Sequence, residues 1–210
     1  MYYNLQVHSA YDLLNSTIKY EGLFLKLSRD NQRSVVIVDP NMYGAIKAHK
    51  ESKKSGINLI QGLEVSLGYG IGFLKFNILC KSEKMFCKLL EISTKFMNGE
   101  EWTIEDFSSE MKEYSEDFVL IVVDELRDSM EFSYLNNLFS NYDFYFGFNE
   151  SFQVGPYSFY ENVVYTKPSY YLNKENYQQV IVSRAIRDNK KLNIQELTTI
   201  SGDDFVREKK

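Results

Sequence analysis

Short apolar runs alternate along this chain with stretches whose apolar positions recur every three to four residues. The first pattern marks strands and the second marks helices with one buried face. Residues 3–7 read as a strand. Residues 17–29 carry Ile18, Leu23, Leu25 and Leu27 at helical spacing. The β-branched run SVVIVD at 34–39 has the character of a strand covered on both faces. A helix is expected over 42–54, ending in lysines that suit its C-terminal dipole and closed by Gly56. Strands follow at 58–67 and 73–80, joined through the glycine-rich stretch 68–72 as a hairpin.

The rhythm then repeats. Residues 83–97 form a helix with Phe86, Leu89, Leu90 and Phe96 on its apolar side. Thr103 with Asp106 has the spacing of a capping box. A buried strand is predicted at 118–124. A helix capped by Asp128 and Glu131 runs to about Phe139, strands lie at 143–148 and 162–166, and a last long helix spans 173–187. Strand–helix alternation of this kind builds α/β architecture around a mainly parallel sheet, and about seven strands favour closure into a distorted barrel. In the last helix, Val180, Ile181 and Ile186 are expected to pack inward while Arg184 and Arg187 face outward or bridge to other parts of a longer chain.

Composition narrows the function. The 210 residues include 24 Lys+Arg against 29 Asp+Glu, a net charge of −5, which disfavours an autonomous duplex-binding module. Hydrophobic residues make up 44%, with 15 Phe and 16 Tyr, enough for a sizeable core. The N-terminus shows neither a basic nor an apolar leader region, and no apolar run reaches membrane-spanning length, so a cytoplasmic protein with no membrane partner is expected. The chain has 2 His and 2 Cys. That leaves little for a metal centre built on imidazole or thiolate. Cys80 and Cys87 read as free, buried core thiols, and His49 as part of a solvated, lysine-rich helix face.

Chemistry in such folds sits where strands end and loops begin. The polar residues there are Asn4, Gln6 and His8 on the first strand, Asp39 ending the second, Glu64, Lys75 and Asn77 on the hairpin, and Asp124 and Lys167 beyond it. From the residues alone, they are either the polar rim of a barrel mouth or a weak site for one Mg²⁺.

Five segments carry a more specific signal. They are YNLQVHSAYDLLNS (3–16), VDPNMYGA (38–45), KKSGINLIQGLEV (53–65), VYTKPSYYL (164–172) and RAIRDNKKL (184–192). In order and spacing they resemble the PHP (polymerase and histidinol phosphatase) domain, and more narrowly the N-terminus of the bacterial DNA polymerase III alpha subunit of the DnaE type. The resemblance implies a distorted (β/α)7 TIM-like barrel, with a PHP domain over 1–195 and residues 196–210 leading toward polymerase domains. It also implies that DNA-directed polymerisation, with its Mg²⁺ in a palm domain, lies in another part of a longer chain. Partners implied in the same way are those other domains, a separate proofreading exonuclease subunit, and the replisome and DNA through the whole protein.

Set beside the family pattern, the departures are chemical. Gln6 stands where metal-binding members have His, and Asn15 where they have Asp. Pro40, Pro168 and Tyr170 replace further ligands, and Lys75 places an ammonium where a strand His is expected. His8, Asp39 and Glu64 are the plausible remaining ligands, with Lys75 beside them as a possible ion-pair partner of Glu64. The expectation is therefore no catalytic residue, no bound metal and no cofactor in this domain, which is left a structural and interaction role. The alternative is a metal-dependent phosphoesterase or 3′–5′ exonuclease acting at the barrel mouth.

Overall fold

The computed structural model describes residues 4–124, 126, 129–149, 161–192, 205 and 206. These fall into two compact units, one formed by residues 1–60 with 167–210 and the other by residues 61–166. The expected domain boundary at 195/196 and the helix cap at Asp128 lie outside the described residues.

The first unit is built around strand β1 (Ser34–Asp39) and helices α1 (Tyr20–Arg29), α2 (Ala45–Ser55) and α6 (Tyr177–Arg187). Helix α1 buries Tyr20, Leu23, Phe24 and Leu27, the i, i+3, i+4, i+7 set that makes one face. Leu25 falls off that face and is exposed. Helix α2 stops at Gly56, whose φ of 70° is the left-handed conformation a side chain resists, and its N–H closes on Ser52 O at 2.9 Å. The expected strand at 3–7 is instead a short extended segment. Its Val7 makes isolated parallel bridges to Ile37 on β1 and to Ser169. Val7, Ile18, Leu23, Phe24, Leu27, Val35 and Ile37 share one core. Burying each such side chain contributes about 1.5–3 kcal/mol.

Helix α6 corrects the sequence expectation. A 3-10 turn at Lys174–Asn176 precedes it, and Val180 and Ala185 are its buried residues, while Ile186 is 65% exposed. The reason is helical geometry: at about 100° per residue, Ile186 falls on the side of the helix opposite the face that carries Val180 and Ala185.

The second unit is a sheet with strands in the order β2 (Asn58–Tyr69, from residue 61), β3 (Gly72–Cys80), β4 (Phe118–Val122), β5 (Asp143–Phe148) and β6 (Val163–Tyr165). Helices α3 (Glu83–Met97), α4 (Ile104–Glu110) and α5 (Ser129–Leu138) connect them. The hairpin is tighter than its glycines suggest, with Tyr69 opposite Gly72 and Gly70 at φ 58° in the turn. Strand β3 also pairs antiparallel with β4, while β4–β5 and β5–β6 are parallel. Helix α3 leaves β3 and the chain returns through α4 from the same end, so β4 runs back against β3.

Phe76, Phe107, Phe118, Phe139, Phe144 and Phe146 interlock in this unit through edge and tilted ring contacts. Thr103 and Asp106 close the expected capping box on α4. On α3 the buried face is Met85, Leu89 and Ile92, whereas Leu90 is exposed. The two cysteines do not belong to the core: Cys80 is half-buried and Cys87 exposed. His49 is exposed on α2, as expected. Among the described residues no helix is long and apolar enough to cross a membrane.

Candidate functional site

Six of the sequence-selected positions fall in the first unit close to Val7 along the chain or to its bridge partners: Gln6 and His8 flank Val7, Asp39 and Pro40 end β1, and Pro168 and Tyr170 flank Ser169. The bridges fix this arrangement. Val38 N donates to Val7 O at 2.9 Å, and Ser169 N donates to Gln6 O at 2.9 Å, so His8 leaves the segment beside both the end of β1 and the 167–171 stretch.

Asp39 is buried at 1% exposure, and its carboxylate is fully engaged. Ser9 N donates to Oδ1 at 2.6 Å, Ser9 Oγ donates to Oδ2 at 2.5 Å, and the Tyr20 hydroxyl lies 3.4 Å from Oδ2. Burial pushes the Asp39 carboxyl above its ordinary range, against the pull of the two Ser9 bonds and the nearby His8. Burial likewise pushes the Tyr20 phenol up, with the Asp39 charge adding to it.

His8 is fully buried, with Nδ1 3.1 Å from Asp12 Oδ2 and its ring stacked on Tyr170 at a centroid distance of 4.7 Å. Asp12 opens a tight turn in which the N–H groups of Asn15 and Ser16 both donate to its carbonyl at 3.1 Å. Leu14 sits inside that turn at φ 60°, a costly conformation for a branched side chain. The turn aims Asn15 so that its Nδ2 donates to Asp12 Oδ2 at 2.7 Å, while its Oδ1 accepts from Arg184 Nε at 3.0 Å and Arg187 Nη1 at 3.2 Å. Arg184 lies over the Tyr170 ring, its Cζ 4.4 Å from the centroid. Arg187 is exposed, as expected, while Arg184 is half-buried, and both reach the loop after His8. Asp12, Tyr20 and Arg184 were not singled out from the sequence as site residues. The one available signal was Asp12's place four residues after His8.

Glu64 and Lys75 belong to the second unit. Glu64 on β2 stands opposite Asn77 on β3, and Lys75 opposite Ser66, so the two project from one face of the sheet on a diagonal. Lys75 Nζ lies 3.1 Å from Glu64 Oε1, and the backbone N–H of Lys75 donates to Asp124 Oδ2 at 2.7 Å. Asn77 is fully buried, and neither its Nδ2 nor its Oδ1 has a hydrogen-bond partner among the described residues. Among the described residues no group of three or more His, Cys, Asp or Glu side chains is placed to hold a metal ion.

Residues 4–181 match the sequence family described as the PHP domain. The DNA polymerase III subunit alpha of Staphylococcus epidermidis is 26% identical over 204 residues, covering 91% of this chain and 17% of its own length. The subunit of the same name from Bacillus subtilis is 39% identical over 95 residues, 43% of this chain and 8% of its own. The chain thus spans 17% or less of the length of these relatives. Among solved structures, it is similar to an amidohydrolase from Chromobacterium violaceum at a TM-score of 0.51, with 11% identity over 96% of this chain and 87% of that one. A Bifidobacterium adolescentis protein described as a candidate metal-dependent phosphoesterase gives a TM-score of 0.50, with 8% identity over 90% of this chain and 84% of that one. These two likenesses concern the fold alone.

Proposed function

Since this chain belongs to the PHP domain family, we propose that it is the N-terminal PHP domain of a DNA polymerase III alpha subunit, with a structural and interaction role and no hydrolytic activity of its own. On this reading the fold is of the distorted (β/α)7 TIM-like barrel type and the protein is cytoplasmic. Polymerisation, with its Mg²⁺, belongs to other domains of a longer chain. Those domains are the first partners of this one, and a separate proofreading exonuclease subunit, the replisome and DNA follow through the whole protein.

The observation that carries the reading is how the surviving acidic candidates are engaged. Both Asp39 oxygens accept from Ser9, and Glu64 faces the Lys75 ammonium. His8 is committed to Asp12 and stacked on Tyr170. A phosphodiester-cleaving metal pair needs open carboxylate and imidazole donors that clamp the attacking and leaving oxygens together. Asp39 and Glu64 do not fit such a centre, because each carboxylate is already engaged by a neighbour that would have to move. The expected result is no hydrolysis of single-stranded DNA or of a chromogenic phosphodiester above background with Mn²⁺ or Zn²⁺ supplied. Metal-dependent hydrolysis that disappears in both His8→Ala and Glu64→Ala would instead establish the alternative, a phosphoesterase or 3′–5′ exonuclease.

A further inference from the structure

Two guanidinium groups of α6 converge on one neutral oxygen. Arg184 Nε and Arg187 Nη1 donate to the same atom, Asn15 Oδ1, at 3.0 and 3.2 Å. The amide is held in that orientation, because its Nδ2 is bonded to Asp12 Oδ2 and Asp12 lies against His8. Two like charges so close disfavour one another, and an amide oxygen compensates neither.

The two arginines are not equivalent. Arg187 has a carboxylate of its own, with Nε 2.8 Å from Asp188, an acid that Lys190 also approaches at 3.7 Å. Arg184 makes no ion pair among the described residues. It is half-buried, lies over the Tyr170 ring, and uses Nε for Asn15, which leaves the outer nitrogens of its planar fork without a hydrogen-bond partner among the described residues. A guanidinium fixed by stacking and by one hydrogen bond has already lost most of its rotamer freedom. Its remaining N–H groups match two oxygens of a tetrahedral anion.

We propose that Arg184 and Arg187, held by Asn15 and Tyr170, form a binding site for a phosphate group. The ligand supplies the negative charge that the neutral Asn15 does not. The site uses no metal and stands whether or not the chain hydrolyses anything.

The test is the thermal melting midpoint of the chain at constant ionic strength, with chloride replaced in turn by inorganic phosphate, a nucleoside 5′-monophosphate and a 5′-phosphorylated oligonucleotide. A site with a dissociation constant of about 1 mM gives a rise of roughly 4–7 °C in about 20 mM inorganic phosphate. Arg184→Gln removes the fork and loses that rise. Arg187→Gln removes the second guanidinium at Asn15 Oδ1 and loses the rise as well, and a midpoint in chloride close to that of the wild type in both variants separates loss of the site from loss of the fold. A response to any of the three ligands that is absent in both variants supports the proposal, and the ligand that acts at the lowest concentration identifies the source of the phosphate. A response that persists in both variants is the general stabilisation by a kosmotropic anion. That result, or no response to any of the three, overturns the proposal.

Discussion

Lys75 reaches diagonally across the β2–β3 hairpin to place its ammonium 3.1 Å from the carboxylate of Glu64. The lysine side chain is 46% exposed and that of Glu64 11%, so water screens the pair from one side. Exposed ion pairs of this kind contribute about 0.2–1 kcal/mol. Lys75→Ala is therefore expected to lower stability by less than about 1 kcal/mol, read as a small shift in the urea midpoint with unchanged slope. A loss several times larger would mean that the lysine is the principal counter-charge of Glu64.

Asp39 carries a pH dependence whose sign follows from its burial. Its carboxyl is held above the ordinary range, so folding favours the protonated form. The stability this contributes is complete below the unfolded pKa, near 4. It is lost as pH rises through the elevated folded value. The stability of wild type minus that of Asp39→Asn should accordingly fall as pH is raised from about 4 toward neutrality, measured by urea unfolding at several pH values. A difference that grows with pH would show that the Ser9 hydrogen bonds outweigh the desolvation.

Gly44 precedes α2 where no side chain fits. A Cβ built there would meet Tyr20 Oη at 2.2 Å and Tyr11 Cδ2 at 2.6 Å. Tyr20 is buried and bonded to Ser9 Oγ at 3.0 Å, so it cannot give way without disturbing the hydrogen bonds at Asp39. Overpacking of this kind typically costs about 1–3 kcal/mol. Gly44→Ala should destabilise by that amount in chemical denaturation, and a neutral result would mean that Tyr20 has room to move.

The capping box on α4 offers a simpler measurement. Asp106 N donates to Thr103 Oγ1 at 3.1 Å and Thr103 N to Asp106 Oδ2 at 3.0 Å. Thr103→Ala removes one of these and should cost about 1 kcal/mol of stability, with Thr103→Ser retaining most of it.

This cap illustrates what is legible along a chain. Thr103 and Asp106 stand three residues apart, and local geometry alone brings them together. The same holds for β1, for the helix stop at Gly56 and for the hairpin ending in Gly70. The antiparallel return of β4 along β3 was not legible, because an apolar run such as 118–122 carries no direction. At the site, His8 and Asp39 were found because they end apolar segments. Asp12 and Arg184 were missed because they meet through Asn15, in a left-handed turn at Leu14 that has no periodic signature, and Tyr20 because its hydroxyl reaches Ser9 and Asp39 from another element. Ile186 was misplaced because it falls on the side of α6 opposite Val180 and Ala185.

The bridge between Val7 and Ser169 has a consequence for how the protein is made. Residues 61–166 are contiguous, so they can complete their own sheet as soon as they leave the ribosome. The N-terminal segment, synthesised first, must wait until the stretch around Ser169 has emerged before Val7 gains its second neighbour and His8 its stacking partner. During that interval Ile18, Leu23 and Phe24 depend on an incomplete shell. A ribosome-bound chain from which residue 166 has emerged but residue 169 has not should therefore resist protease across the second unit while its opening residues are still cut.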